Sequence, residues 1–567
     1  MKRILLLTAG MAVAGAASAQ WGDSIDDPVK IFPSGTSSYA TEVKASPDGS
    51  VWAMIYHPNT RNASSEEDIQ NVVYEYIIQH FDKDGKPQFE GKGMVLSDYS
   101  NISYTVVNDY LWVDRDGNAI VSVADCRNSA SSERSYTAYK ISPEGELLWG
   151  EDGVPISNAS MPANMAACMR MVQLEDGSYV FAWMEMREDS QKVVLQRFDK
   201  DGNALWNVAE TALDGEVTSY PYLVNSGDNT FILVYTRSSS QIIYARKMDF
   251  DASPVWAKDA RIYRGGWGST PIHTLISVSP SGNGGVIVGW TDDRNATNLE
   301  TAYMSYVTAD GELGFAGQSD EADAKLTYDE WRCFNMQVAP ASDGSGFYAI
   351  WRRTDANQNY QGIMIQKVSL EGELLWGDNP PELYPTSRTS LAYLTLQPTD
   401  DGGACGFFQE YTSYYDQHGI AGRVDGNGEY VWRDHLIDVT RPGRQSSALK
   451  SQPYGSNAWL LNWSDGGSSA EDKDEAAYMM EIFNYDGSFG LKDSGVEKVT
   501  VTGSELAFDG SAITGPLADG SMVEIYDMAG IKVASVAAEA GRAGVDLPTG
   551  IYFAKTAEGM TLKFNVK

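Results

Sequence analysis

The chain has 567 residues, with 43 Lys and Arg against 77 Asp and Glu and a formal net charge of −34. That charge argues against nucleic acid or an anionic membrane surface as a partner. With 43 % hydrophobic residues the chain can bury a real core, so wholesale disorder is excluded, and its length implies several domains or one large repetitive domain.

Residues 1–19 read as a secretory signal peptide. Lys2 and Arg3 supply a positive start, Ile4–Leu7 opens an apolar stretch, and Ala17-Ser18-Ala19 offers small residues to a signal peptidase, with Gln20 as the expected mature start. The stretch is shorter than the about 20 residues a bilayer requires, and no later window is apolar enough, so no transmembrane segment is expected. Export leads to an oxidising compartment, yet four cysteines make no disulfide scaffold. Cys126/Cys168 and Cys333/Cys405 fall in neighbouring repeats and are either pairs or buried free thiols.

Residues 20–494 carry a repeat. An apolar strand, an acidic-glycine turn and an aromatic four residues after the glycine recur as FDKDGKPQF (Phe81–Phe89), ISPEGELLW (Ile141–Trp149), FDKDGNALW (Phe198–Trp206), VTADGELGF (Val307–Phe315), VSLEGELLW (Val368–Trp376) and VDGNGEYVW (Val424–Trp432). MDFDASPVW, ending at Trp256, has lost its glycine, and FNYDGSF (Phe483–Phe489) is a truncated last copy. Taking Gly85, Gly145, Gly202, Ser253, Gly311, Gly372, Gly428 and Gly487 as equivalent, the spacing runs from 51 to 61 residues. Upstream of each lies a second turn, such as Asp48-Gly49, Asp116-Gly117 or Asp343-Gly344. Glycine accepts the positive φ of tight hairpins, and the flanks are β-branched and aromatic. Each copy therefore reads as two hairpins, and the whole as an all-β, eight-bladed β-propeller, with a seven-bladed ring or a solenoid of hairpins as alternatives. Trp21-Gly22 followed by Pro28–Phe32 matches Trp149-Gly150 followed by Gly153–Ser157, so the N-terminal segment is expected to supply the outermost strand of the eighth blade.

Residues 495–567 depart from the period. They contain VEIYDMAGIKV (Val523–Val533) and VDLPTGIYFAKTAEGMTLKFNVK (Val545–Lys567). This segment resembles the type A C-terminal sorting domain of the Por, or type IX, secretion system of Bacteroidetes. In that family a strand ends in a glycine turn, here Asp527 to Gly530. A Leu-Pro-x-Gly-Ile-Tyr segment, here holding Gly550, Ile551 and Tyr552, then precedes a Lys-rich last strand, here ending at Lys567. The resemblance implies a small Ig-like β-sandwich and a partner in the outer-membrane secretion machinery. It also implies a protein that is released or attached to the outer surface after Sec-dependent export to the periplasm.

Catalytic spellings are missing: there is no HExxH, GxSxG, CxxC, P-loop or GxGxxG. His57, His80, His273, His418 and His435 are scattered over different repeats, and the DKDG turns lack the spaced acids of a calcium loop, so neither metal nor cofactor is expected. One constellation stands out. Counted from the first turn of a copy, Arg127, Arg187 and Arg294 lie eleven residues on and Arg237 and Arg353 ten, with Asp125, Glu185 and Asp292 two residues before three of them. In a propeller these charges are expected to form a partial ring, either holding a sugar polymer through guanidinium forks and carboxylates or bracing the blades as salt bridges. Trp267 and Trp331 depart from the repeat and are candidates for stacking on a sugar, as are the tyrosines of Glu410–Gly419; packing is the alternative for each. Regular blades point to a binding or adhesion module for a glycan or a surface protein more than to an enzyme. A polysaccharide hydrolase or lyase is the alternative, and a purely structural surface protein a third reading.

Overall fold

The computed structural model describes residues 21–32, 40–59, 73–100, 110–125, 127, 135–156, 168–187, 190–207, 213, 217–237, 242–263, 276–294, 299–319, 321–413, 416–466 and 477–491, then 506–508, 511–526, 532–545, 547, 550–556 and 561–566. The expected signal peptide lies outside the described residues, as do Cys126, Trp267, His273, Gly530 and Lys567. Among the described residues every regular element is a β-strand, and no helix is long and apolar enough to cross a membrane. Contacts separate Met1–Gly490 from Leu491–Lys567.

In the first unit, eight antiparallel sheets follow one another among the described residues. Sheet I holds Ala40–Ala45, Val51–Asn59, Val73–Phe81 and Met94–Ser100 in that order, and sheets II to VII repeat the plan as the chain proceeds, sheet III with three strands. Sheet VIII is built from Ser446–Tyr454, Ala458–Asp465 and Ala477–Asn484, and its fourth strand is Val29–Lys30 from the other end of the chain, paired as Val29 with Met480. First strands of successive sheets touch one another, which puts them innermost. The core lies between sheets. Trp52, Tyr76 and Tyr139 fill the gap from I to II, Trp149, Phe181 and Trp183 the gap from II to III, and so on around to Phe32, Ile55 and Met480 between VIII and I. A ring of sheets packed face to face, closed by strands from both ends of the chain, is a β-propeller.

The repeated phrase works across these gaps. The ring N–H of each repeat tryptophan donates to a carbonyl in the equivalent turn of the next sheet: Trp149 to Lys200 at 3.2 Å, Trp256 to Ala309 at 2.9 Å and Trp432 to Tyr485 at 3.0 Å. Trp21 completes the set by donating to Lys83 at 2.8 Å, so the N-terminal clasp brings sheet VIII its tryptophan as well as its strand. The same rings cover the turn glycines. Gly202 has φ +86°, and a Cβ there would lie 2.8 Å from the Trp149 ring, so this glycine is needed for both backbone and space. Gly202→Ala is expected to cost about 1–3 kcal/mol from the backbone alone, read as a lower urea midpoint; an unchanged midpoint would refute the socket. The copy without glycine corrects the sequence alignment. Ala252, not Ser253, takes the turn position, with φ +62° and its N–H bonded to Asp249 O as Gly202 bonds Asp199.

The second unit has a three-stranded sheet (Ala507–Phe508, Ala512–Thr514, Arg542–Gly544) and a four-stranded one (Lys532–Ala537, Met522–Tyr526, Gly550–Thr556, Thr561–Val566). Ile513 and Ala543 from the first share a core with Val523, Ile525, Tyr552 and Ala554 from the second, which is the packing of a β-sandwich. Gly550 and Ile551 begin the strand next to the edge strand Thr561–Val566.

Candidate functional site

Register against the third strand aligns one position at the end of every second strand: His57, Asp125, Glu185, Arg237, Asp292, Arg353, Glu410 and Asp465. All eight are ionisable. The five expected arginines therefore do not share a position. Arg127, Arg187 and Arg294 lie two residues beyond the acid, whereas Arg237 and Arg353 occupy the acid's own place. The reason is that the first hairpins of sheets IV and VI hold one residue more before the second strand, which a count along the sequence cannot register.

Most of these charges are paired within their own sheets, while Asp125 also accepts from Ser97 of sheet I and Glu410 accepts from Tyr384 of sheet VI. Arg127 binds Asp125 at 2.6 Å, the Tyr139 hydroxyl at 2.7 Å and the Asp152 carbonyl at 2.8 Å. Arg294 binds Asp292 at 2.7 Å and Asp323 at 2.8 Å with its guanidinium 3.6 Å from the Tyr303 ring centre. Arg237 meets Asp259 at 3.2 Å, Arg353 meets Glu382 and Thr386, and Arg187 meets Glu185. Burial opposes the charge on Arg127 and Arg294, but the hydrogen bonds they donate to their acids outweigh it and raise both pKa values. Asp152, Asp259, Asp323 and Glu382 all stand at or just before the fourth strand, so the arginines tie the second strand to the outer edge of the blade. Trp331 joins Arg353, whose guanidinium lies 5.0 Å from its ring.

The innermost strands behave differently. Cys168, Tyr220, Asn335, Tyr393 and Ala448 have φ between 48° and 55° and sit at one equivalent position in sheets III, IV, VI, VII and VIII. Ladder pairing breaks there, between Ser219 and Tyr222, Phe334 and Gln337, Ala392 and Thr395, and Ser447 and Lys450. Non-glycine residues in this backbone region are strained, and bulges re-aim side chains. This set has no sequence signature, because neither glycine nor a common residue type marks it. Around it, half-buried polar and aromatic groups from neighbouring sheets meet. The Arg170 guanidinium lies 4.8 Å from the Tyr222 ring, Lys450 binds Glu42 at 2.8 Å, and Arg352 donates to Leu391 O at 2.6 Å. Tyr393 is exposed, and burial together with its hydroxyl pushes Tyr411 up to about 12. Burial lowers the pKa of Lys44 on the axial strand of sheet I.

Cys168, Cys333 and Cys405 are free thiols, so of the two readings for Cys333 and Cys405 the structure shows the unpaired one. Cys333 is fully buried and its pKa is pushed up to about 12 by that burial, which makes it a packing residue. In the DKDG turn Asp199 accepts the N–H groups of Asp201 and Asn203, a hairpin role, and no cluster able to hold a metal occurs among the described residues.

No protein-family description and no curated protein matches the chain. Among solved structures, the Dos1 propeller aligns with 80 % of this chain and 95 % of its own at 10 % identity and TM-score 0.42. Polysaccharide lyase Uly1 aligns with 71 % of this chain and 93 % of its own at 11 % identity and TM-score 0.39. These are likenesses of fold.

Proposed function

We propose that the propeller is the ligand-binding part of an exported protein, that it holds a glycan at the bulged end of its axial strands, and that residues 495–567 are its sorting module. The observation that carries the binding reading is a constant backbone bearing varied side chains. The position at the end of the second strand is ionisable in every sheet and forms an ion pair in sheets II to VI and VIII, as architecture requires. The axial bulge repeats the same strained backbone while presenting Cys168, Tyr220, Asn335, Tyr393 and Ala448. Tyrosine faces with adjacent guanidinium and carboxylate groups suit a polyhydroxylated chain, which offers both C–H faces and hydroxyls. The sorting reading rests on the family resemblance of Val523–Val533 and Val545–Lys567. It places the protein outside the cell or on its outer surface.

Affinity electrophoresis of the full chain through host and plant polysaccharides tests the first part. At least one polysaccharide is expected to retard the protein, with Tyr220→Ala and Tyr393→Ala each weakening retention about tenfold, a loss of about 1.4 kcal/mol. Retardation indifferent to both variants would remove the axial site. New reducing ends or unsaturated products in the gel would replace binding by hydrolysis or elimination. Loss of export on deleting residues 495–567 checks the second part.

A further inference from the structure

A second repeated ion pair lies on the turn face, and sheet I keeps its turn acid without the cation. On the third strand, one position holds Lys140, Arg197, Lys247, Lys367 and Arg423 in sheets II, III, IV, VI and VII. Arg197, Lys367 and Arg423 pair with Asp176, Asp343 and Asp401 in their own first turns, Lys367 at 3.3 Å, while Lys140 pairs with Asp114 at 3.3 Å. Arg197, Lys247 and Arg423 also donate to a carbonyl in the next sheet's second turn, where a tryptophan N–H from their own sheet binds too.

Sheet I has His80 at this position and Phe89 in place of the tryptophan. His80 Nδ1 donates to Pro143 O at 3.0 Å, the carbonyl equivalent to those just described, so Nε2 is left as an acceptor. The residue is 5 % exposed, its ring stacks on Trp52 at 4.4 Å, and Nε2 is buried without a hydrogen-bond partner. The smaller pair of rings leaves a cavity of 360 Å³ that His80 lines together with Asp48, Asp82, Glu144, Lys83 and Phe89. Asp48 is the turn acid equivalent to Asp176, Asp343 and Asp401. The site therefore keeps the carboxylates of the repeat and lacks its third-strand cation, although Lys83 of the second turn also lines it. Burial lowers the His80 pKa, so the ring itself does not supply the missing charge at neutral pH.

We propose that this cavity between sheets I and II is a socket for a lysine or arginine side chain of a partner polypeptide, whose N–H groups would donate to His80 Nε2 and to the carboxylates of Asp48, Asp82 and Glu144. The chain itself shows the fit, since a lysine ammonium or arginine guanidinium occupies the equivalent place in four other sheets beside an aspartate. An unpaired acceptor next to three carboxylates is matched by a cationic donor and mismatched to an anion. This site is on the opposite end of the strands from the axial bulges, and stands or falls separately from the glycan reading.

The test uses the full chain with histidine labelled at its ring carbons, titrated with acetyl-lysine amide and acetyl-arginine amide. The His80 resonance, identified by its loss in His80→Lys, is expected to shift saturably with at least one probe. Asp48→Asn is expected to weaken that binding about tenfold or more, as for a hydrogen bond to a charged group. His80→Lys is expected to raise the melting temperature by restoring the repeat's pairing in cis. No saturable shift with either probe, or a shift unchanged in Asp48→Asn, overturns the proposal. A response to zinc but to neither amide would assign the cavity to a metal and overturn it too.

Discussion

Glu481→Gln is expected to stabilise the propeller by roughly 3 kcal/mol at pH 7 and to flatten its stability against pH. Glu481 is 1 % exposed on the third strand of sheet VIII, beside the clasp. Burial above all, with the charges of Asp27 and Asp23 adding, pushes its pKa up from 4.5 to about 9. The sign follows from proton counting. Between those pH values the folded carboxyl holds a proton that the unfolded chain has released, so stability falls as pH rises, by about 1.4 kcal/mol per unit, and is least above the folded pKa. The repeat itself indicates the remedy. The equivalent residues in sheets I, III and VI are Gln79, Gln196 and Gln366. Gln366 accepts the N–H groups of Lys367 and Trp376 with its oxygen and donates to Gly377 O at 2.8 Å with its nitrogen. Glu481 Oε1 accepts from Ile482 in the same way, but its second oxygen is buried beside Gly22, the counterpart of Gly377. Thermal unfolding of both proteins from pH 5 to pH 9 decides the matter: parallel curves would show that Glu481 does not titrate across this range.

Trp21→Ala should lower stability by about 3–5 kcal/mol, the range for a buried aromatic. The Trp21 ring is 6 % exposed, donates to Lys83 O, packs over Gly85 and meets Tyr454 edge-on at 6.1 Å. It joins sheet VIII to sheet I at the gap beside the one sheet whose strands come from both ends of the chain. Trp206, half-buried over Ala252, is the internal control, and Trp206→Ala should cost much less. Chemical denaturation followed by far-UV circular dichroism measures both; equal losses would mean that the seam is no more dependent on its tryptophan than any other gap.

Much of this architecture was legible because turns need particular residues. A positive-φ turn beneath an aromatic ring admits glycine almost alone, so Gly85 to Gly487 advertise the period. Trp21-Gly22 likewise announced the clasp, since the same pair precedes the fourth strand in sheet II. Backbone features without a residue requirement stayed hidden. Cys168, Tyr220, Asn335, Tyr393 and Ala448 share one conformation imposed by the ladder on either side, and nothing in their chemistry says so. Counting along the chain failed where hairpins differ by a residue, which merged Arg237 and Arg353 with Arg127, Arg187 and Arg294. The socket at His80 was passed over for a related reason. Scanning for a motif finds what is present, whereas this site is marked by a cation that five other copies have and this one lacks.

The clasp has a consequence for the order of events during synthesis. Seven of the gaps join neighbours along the chain and can close as each new sheet emerges. The eighth cannot, because Gln452 must reach Ala45, 407 residues away, and Trp21 must wait for sheet VIII. Until then Trp21, Val29 and Phe32 are an uncommitted apolar segment, with the face of sheet I that will meet sheet VIII uncovered beside it. Long-range contacts of this kind are slow to form. A chaperone that holds this segment would therefore act as a timing element, keeping the ring open until the last blade has arrived.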